Sequence, residues 1–171
     1  MLRMSKLADY GTAVMTCIAQ KPERMLNAGD IAVAVGLELT TVSKLLKLLT
    51  HAGLLVSRRG VSGGYGLSRA PQLISVAEII DAIEGYPMGL TECSSTPGIC
   101  TRELSCSVRS NWQRISKSIR DILEGVTLAE LALPTPQGIK FSSKRAIATR
   151  SQGKPDSPVE TLDEHRNQAT R

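Results

Sequence analysis

Aromatic residues are scarce in this chain of 171 residues, which holds one Trp, three Tyr and one Phe. A core short of rings must be built from Leu, Ile, Val and Ala, which points to helices. No run of 18 apolar residues occurs, so a membrane-spanning helix is excluded. The opening segment, residues 1–9, lacks an apolar stretch followed by a small-residue cleavage site, so a cytoplasmic location is expected. Only two histidines are present, His51 and His165. Neither stands beside a nucleophile pattern, and no glycine-rich segment has P-loop spacing, so an enzyme is not indicated. What remains is ordinary for a globular protein: 42% apolar and 22% charged residues, enough for one domain and a tail.

The net charge of +5 is unevenly spread. Residues 1–70 carry nine Lys or Arg against four acids, residues 71–132 five against eight, and residues 133–171 seven against four. A basic N-terminal segment favours a polyanionic partner, because each phosphate neutralised releases counterions.

Helical periodicity appears first over residues 5–20, with Leu7, Val14, Cys17 and Ile18 on one face. A second helix starts at Asn27, three residues before Asp30, and Gly36 ends it as a left-handed cap. A third spans 39–52, with a buried stripe of Val42, Leu45, Leu46 and Leu49. Its other face holds Thr40, Thr41, Ser43, Lys44 and Lys47. Two helices joined by a short glycine turn have the shape of a helix-turn-helix. Residues 54–57 and 65–68 then read as two short strands around Arg58, Arg59, Gly60, Gly63 and Gly64. Three helices followed by a hairpin with arginines at its tip make a winged helix. The third helix suits a major groove, and the wing suits phosphates or a minor groove through Arg58, Arg59 and Gly60. Double-stranded operator DNA is the expected partner.

Ser75 and Glu78 form a capping-box pattern opening a helix over 75–84, stopped by Gly85 and Pro87. A loop covers 86–103, and a long helix is predicted over 104–124. Its apolar positions, Leu104, Val108, Trp112, Ile115, Ile119 and Ile122/Leu123, step close to a heptad seam and predict a homodimerisation helix. Thr127 and Glu130 cap a last short helix over 127–132. After Pro134 the chain is rich in Pro, Ser, Gly, Gln and charge, so residues 133–171 are expected to form a disordered basic tail. The expected organisation is a mainly α winged helix-turn-helix domain over 1–70, a cysteine loop and dimerisation helix over 71–132, and that tail.

Cys93, Cys100 and Cys106 are spaced Cys-x6-Cys-x5-Cys, whereas Cys17 stands alone on an apolar helix face and reads as a small buried hydrophobe. Zinc knuckles use shorter steps on tight turns. Steps of five and six suit ligands spread around an iron–sulfur cluster, with zinc and a thiol redox switch left open.

These features together resemble the IscR/NsrR family of winged-helix iron–sulfur regulators, nearest to the branch found with SUF cluster-assembly operons. The resemblance spans about residues 1–132. It rests on Leu7-Ala8-Asp9-Tyr10-Gly11, the helix pair from Ile31 to Leu54, Arg59-Gly60 followed by Gly63-Gly64-Tyr65, and the three-cysteine loop before Trp112. It implies a dimeric repressor of iron–sulfur assembly genes, with Cys93, Cys100 and Cys106 as cluster ligands and Arg59 on DNA. A 2Fe–2S cluster is expected ahead of a 4Fe–4S one. In the NsrR branch an aspartate of the first helix completes the ligand set from across the dimer, and Asp9 matches it. Glu92, Glu103 and an external thiol are the other candidates. Two departures stand out. The first cysteine gap is one residue longer than in IscR-like proteins. Arg109 stands where they carry a ligating histidine, and arginine does not ligate iron. The rival expectations are a nitric-oxide- or redox-responsive regulator, a zinc-bound DNA-binding protein, and a cluster scaffold or carrier.

Overall fold

The computed structural model describes residues 4–60 and 63–133. Helix α1 (Lys6–Ala19) is capped by the Ser5 hydroxyl, which accepts from the Ala8 N–H at 3.0 Å. Helix α2 (Ala28–Val35) is capped by Asn27 and closed by Gly36 at φ +67°. Helix α3 (Leu39–His51) follows at once, and Val42, Leu45, Leu46 and Leu49 are its buried stripe. Strands β1 (Leu55–Arg58) and β2 (Gly64–Leu67) form an antiparallel hairpin, each shifted by one residue from the sequence expectation. Leu54 does not join β1, because its N–H is already bonded to the Leu49 carbonyl at the end of α3.

Helix α4 (Val76–Glu84) carries the full Ser75/Glu78 capping box and stops at Gly85, φ +80°. A one-turn helix α5 (Glu92–Ser95) lies within the segment expected to be plain loop. Helix α6 is Arg109–Glu124, and the short α7 (Leu128–Ala132) repeats the capping box with Thr127 and Glu130. The long helix thus begins at residue 109, not 104. Residues 103–105 form a 3-10 turn instead, and Leu104 is 100% exposed. The tail assigned to 133–171 lies outside the described residues, apart from Leu133.

One core unites these elements. Val14, Met15 and Ile18 of α1, Ile31 of α2, the α3 stripe, Ile79 of α4 and Leu128 of α7 are all fully buried in it. Gly11 explains how closely α1 and α4 approach, since a Cβ there would lie 2.7 Å from Ile83 Cγ1. Helix α6 is tied to α4 by Arg120 Nη2 to Asp81 Oδ2 at 2.8 Å. No helix among the described residues is long and apolar enough to cross a membrane.

Candidate nucleic-acid interface and cysteine loop

The face of α3 that points away from the core carries Thr40, Ser43, Lys44, Lys47 and His51, all exposed. Thr41 is half-buried and lines a depression at the helix-turn-helix corner with Val33, Gly36 and Leu39. The N-terminal end of such a helix is the part that meets base edges in a major groove.

The wing is held to this head through β2. The Tyr65 N–H donates to the Leu26 carbonyl at 2.8 Å, and the Leu26 N–H returns a bond to Tyr65 at 3.0 Å. A side chain at Gly64 would put its Cβ 2.5 Å from the Leu26 carbonyl oxygen, so only glycine lets the strand pair there. At the tip, Gly60 has φ +110°, and the Gly63 N–H donates to the Gly60 carbonyl at 2.9 Å. Arg58, Arg59 and Gly60 are exposed. Among the described residues, no acid pairs with Lys44, Lys47, Arg58 or Arg59. The structure therefore places two exposed cationic groups on the helix face and two on the wing, without acidic partners among the described residues.

The cysteine loop is anchored at both ends. At its start, the Met88 N–H donates to Asp81 Oδ1 at 2.8 Å, and the Leu90 N–H to Ser116 Oγ of α6 at 3.0 Å. At its end sits Glu103, a charged residue only 7% exposed. Its Oε2 accepts from the Gly98 N–H at 2.6 Å, and its Oε1 pairs with Arg109 Nη2 at 2.5 Å. Arg109 thus directs its guanidinium at Glu103, although its side chain remains 37% exposed. It is the cationic half of a clasp across Cys106, and its Nε is buried with no acceptor. This clasp was missed by sequence reasoning, and its one visible signal was an acid and a base six residues apart flanking Cys106. The same clasp explains the late start of α6.

Cys93 is buried in α5, within the segment expected to be loop, with its Sγ 3.3 Å from Thr91 Oγ1. Cys100 and Cys106 are half-buried. The Cys100 carbonyl accepts from the Glu103 N–H at 3.1 Å, and the Cys106 carbonyl from the Arg109 N–H at 3.3 Å. All three thiols are free, and their chemistry fits a thiophilic iron centre. Their side chains are not drawn together, however. Among the described residues no three His, Cys, Asp or Glu side chains converge to hold a metal ion. Holding a cluster thus calls for the 93–106 segment to close. Asp9 is exposed in the first turn of α1 and pairs with neither Lys6 nor Lys21. Cys17 is half-buried, not fully buried as expected, and burial raises its thiol pKa against the opposing effect of Lys21.

The apolar side of α6 is left half open. Trp112, Ile115 and Ile122 are exposed, while Ile119 and Leu123 line a groove of about 610 Å³ that also touches Met4, Ser5 and Met88.

Comparison with known proteins places this geometry among regulators. Residues 4–133 match the family described as "Rrf2: Iron-dependent Transcriptional regulator". The chain is similar to protein rrf2 of Nitratidesulfovibrio vulgaris, with 29% identity over 76% of this chain and 87% of that protein. It is similar to the HTH-type transcriptional regulator IscR of Aliivibrio salmonicida, with 31% identity over 76% of this chain and 77% of that one. Among solved structures it resembles CymR, the global cysteine regulator of B. subtilis, at TM-score 0.61 and 31% identity, covering 77% of this chain and 97% of that one. The IscR of T. potens is similar at TM-score 0.59 and 30% identity, covering 76% of this chain and 85% of that one.

Proposed function

Because this chain belongs to the Rrf2 family of transcriptional regulators, we propose that it is a homodimeric repressor of iron–sulfur assembly genes of the SUF type, governed by an iron–sulfur cluster. The carrying observation is that one family match covers both the winged head and the three-cysteine loop. A regulator of this kind, rather than an enzyme, uses its site to bind and release DNA.

In this reading α3 enters the major groove with Thr40, Thr41, Ser43 and Lys44 toward base edges, and Lys47 toward phosphate. Arg58, Arg59 and Gly60 place the wing on the adjacent backbone or minor groove. Two copies joined through Trp112, Ile115 and Ile122 present two such heads to a palindromic operator. Cys93, Cys100 and Cys106 supply thiolate ligands, with Asp9 of the partner subunit as the fourth. A bound cluster, 2Fe–2S ahead of 4Fe–4S, supplies a centre whose charge and integrity respond to iron, oxidants or nitric oxide. To hold such a cluster the three thiols would have to be gathered by a closing of residues 93–106, which would load the anchors at Asp81 and Ser116, and so α4 and α6. A bias of about 1–3 kcal/mol between two head placements changes operator occupancy roughly 5- to 150-fold.

The test is anaerobic purification of the full chain, with iron and acid-labile sulfide assayed beside the absorption spectrum and mobility shifts on its own promoter. Expected are iron and sulfide in stoichiometric amounts, a visible charge-transfer spectrum, and DNA affinity that changes on cluster loss. A colourless protein with stoichiometric zinc overturns the cluster. An Asp9→Ala variant with unaltered spectrum and cluster lifetime removes Asp9 from the ligand set. A second reading, a metal-free thiol switch, is favoured by one observation: the three thiols do not converge as they stand. Iron-free protein whose DNA affinity changes on thiol alkylation would establish it instead.

A further inference from the structure

The outward face of α3 is polar or charged at Thr40, Ser43, Lys44, Lys47 and His51. Leu39 breaks that pattern. It is the first residue of the helix, and it is 51% exposed although four other aliphatic side chains of α3 are fully buried. It is not part of the hydrophobic packing that fixes the helix entry, since the stripe begins at Val42. Leu39 and Ser43 are one turn apart and so are neighbours on the surface. The leucine therefore stands at the N-terminal, groove-entering end, beside a residue already assigned to base edges.

Docking α3 in a major groove removes this side chain from water. What it meets there decides whether the burial is favourable. Guanine, cytosine and adenine present hydrogen-bonding edges in that groove, and a leucine over them desolvates a polar atom and returns no bond. Thymine presents its O4 acceptor too, but it alone adds a methyl group, at C5. We infer that Leu39 is a specificity-determining residue that reads a thymine methyl in each operator half-site. This rests on the DNA-binding reading above and supplies the apolar half of a code whose polar half is Thr40, Ser43 and Lys44.

The experiment uses the full chain and duplexes selected by it from a random-sequence pool. In the selected duplex each thymidine is replaced singly by deoxyuridine, which deletes the methyl and preserves every hydrogen-bonding group. The expected result is one thymine per half-site whose replacement weakens binding about fourfold, as for loss of one buried methyl-sized group. In Leu39→Ala the same replacement should become neutral, while the salt dependence set by Lys47 and Arg59 stays as in the native chain. Leu39 is exposed, so the variant keeps its core, and a native circular dichroism spectrum and unfolding midpoint verify that. Uniform tolerance of deoxyuridine, or a penalty that persists undiminished in Leu39→Ala, overturns the inference while leaving DNA binding intact. Failure of the pool to enrich any sequence overturns the DNA-binding reading itself.

Discussion

Replacing Trp112 with alanine tests the dimer most directly. Trp112 is 42% exposed on the outer face of α6. An aromatic side chain presents roughly 150–250 Å², so about 60–100 Å² of Trp112 is open to water and would be covered in the proposed dimer. At about 25 cal/mol per Å², covering that area contributes roughly 2 kcal/mol. A two-fold interface uses the same patch twice, so Trp112→Ala should cost the dimer about 4 kcal/mol. That is on the order of a thousandfold in its dissociation constant. Trp112 is not a member of the buried core cluster, so the substitution spares that core, and the loss of its covered part within the monomer is read separately from the unfolding midpoint. Sedimentation velocity across a concentration series reads the constant, and circular dichroism verifies the fold. A native chain that is monomeric at tens of micromolar, or a variant with an unchanged constant, refutes the assignment of this face. Loss of dimerisation with loss of helix content would instead show that Trp112 belongs to the fold.

Four further outcomes are expected. Arg59→Ala should weaken operator binding and make its salt dependence shallower by about one counterion per protomer, measured by titrations at several salt concentrations. Glu103→Gln should leave the Gly98 N–H and Arg109 with a weaker acceptor and speed amide hydrogen exchange across 93–106, with exchange in α1 and α3 unchanged; equal exchange throughout the loop would dismiss the clasp. Gly11→Val should destabilise the chain by about 1–3 kcal/mol in urea unfolding, because the new side chain meets Ile83. The Glu78 carboxyl feels burial that raises its pKa, but the Ser75 N–H and the Arg69 guanidinium outweigh this and hold it below the usual carboxylate range. Its stabilisation is therefore complete above about pH 4.3 and is lost as the pH falls through the lower folded value. The unfolding midpoint should drop over that acidic window, and Glu78→Gln should flatten the drop.

Legibility in the sequence followed the range of the interaction. Asn27, Ser75 and Thr127 announced helix starts because each caps an N–H three residues on, as Gly36 and Gly85 announced stops by tolerating positive φ. The α3 stripe was legible for the same reason, since four aliphatic residues at helical spacing need only one core to face. The start of α6 was not. Leu104 and Val108 fit the helical period, yet Glu103 is engaged by Gly98 and Arg109, and those bonds override periodicity. The pairing of Leu26 with Tyr65 was equally hidden, because it joins residues far apart in the chain. At the candidate site, residue types and exposure on α3 and the wing could be read from pattern alone. The burial of Cys93 and the spread of the three thiols could not, since both depend on how a loop of weak local preference settles against α6.

The same energies decide what a signal from the cysteine loop is able to move. Val42, Leu45, Leu46 and Leu49 hold α3 in the head with no exposed surface. Truncating one such side chain typically costs 2–5 kcal/mol, so reshaping the reading helix requires more than the 1–3 kcal/mol that couples sites in most regulators. The link between α1 and α4 is equally stiff, because Ile83 already sits against Gly11 with no space to yield. What remains soft is the loop itself and the open face of α6. In the proposed regulator, a pull on Met88 and Leu90 would load α4 at Asp81 and α6 at Ser116, and any yield between them would be a displacement of α6 against α4 at the Arg120–Asp81 pair. In a dimer joined through α6, that displacement changes the spacing and tilt of two intact heads. An operator with fixed half-site separation responds to spacing, so control by head placement, with the recognition surface unchanged, is the mode this packing allows.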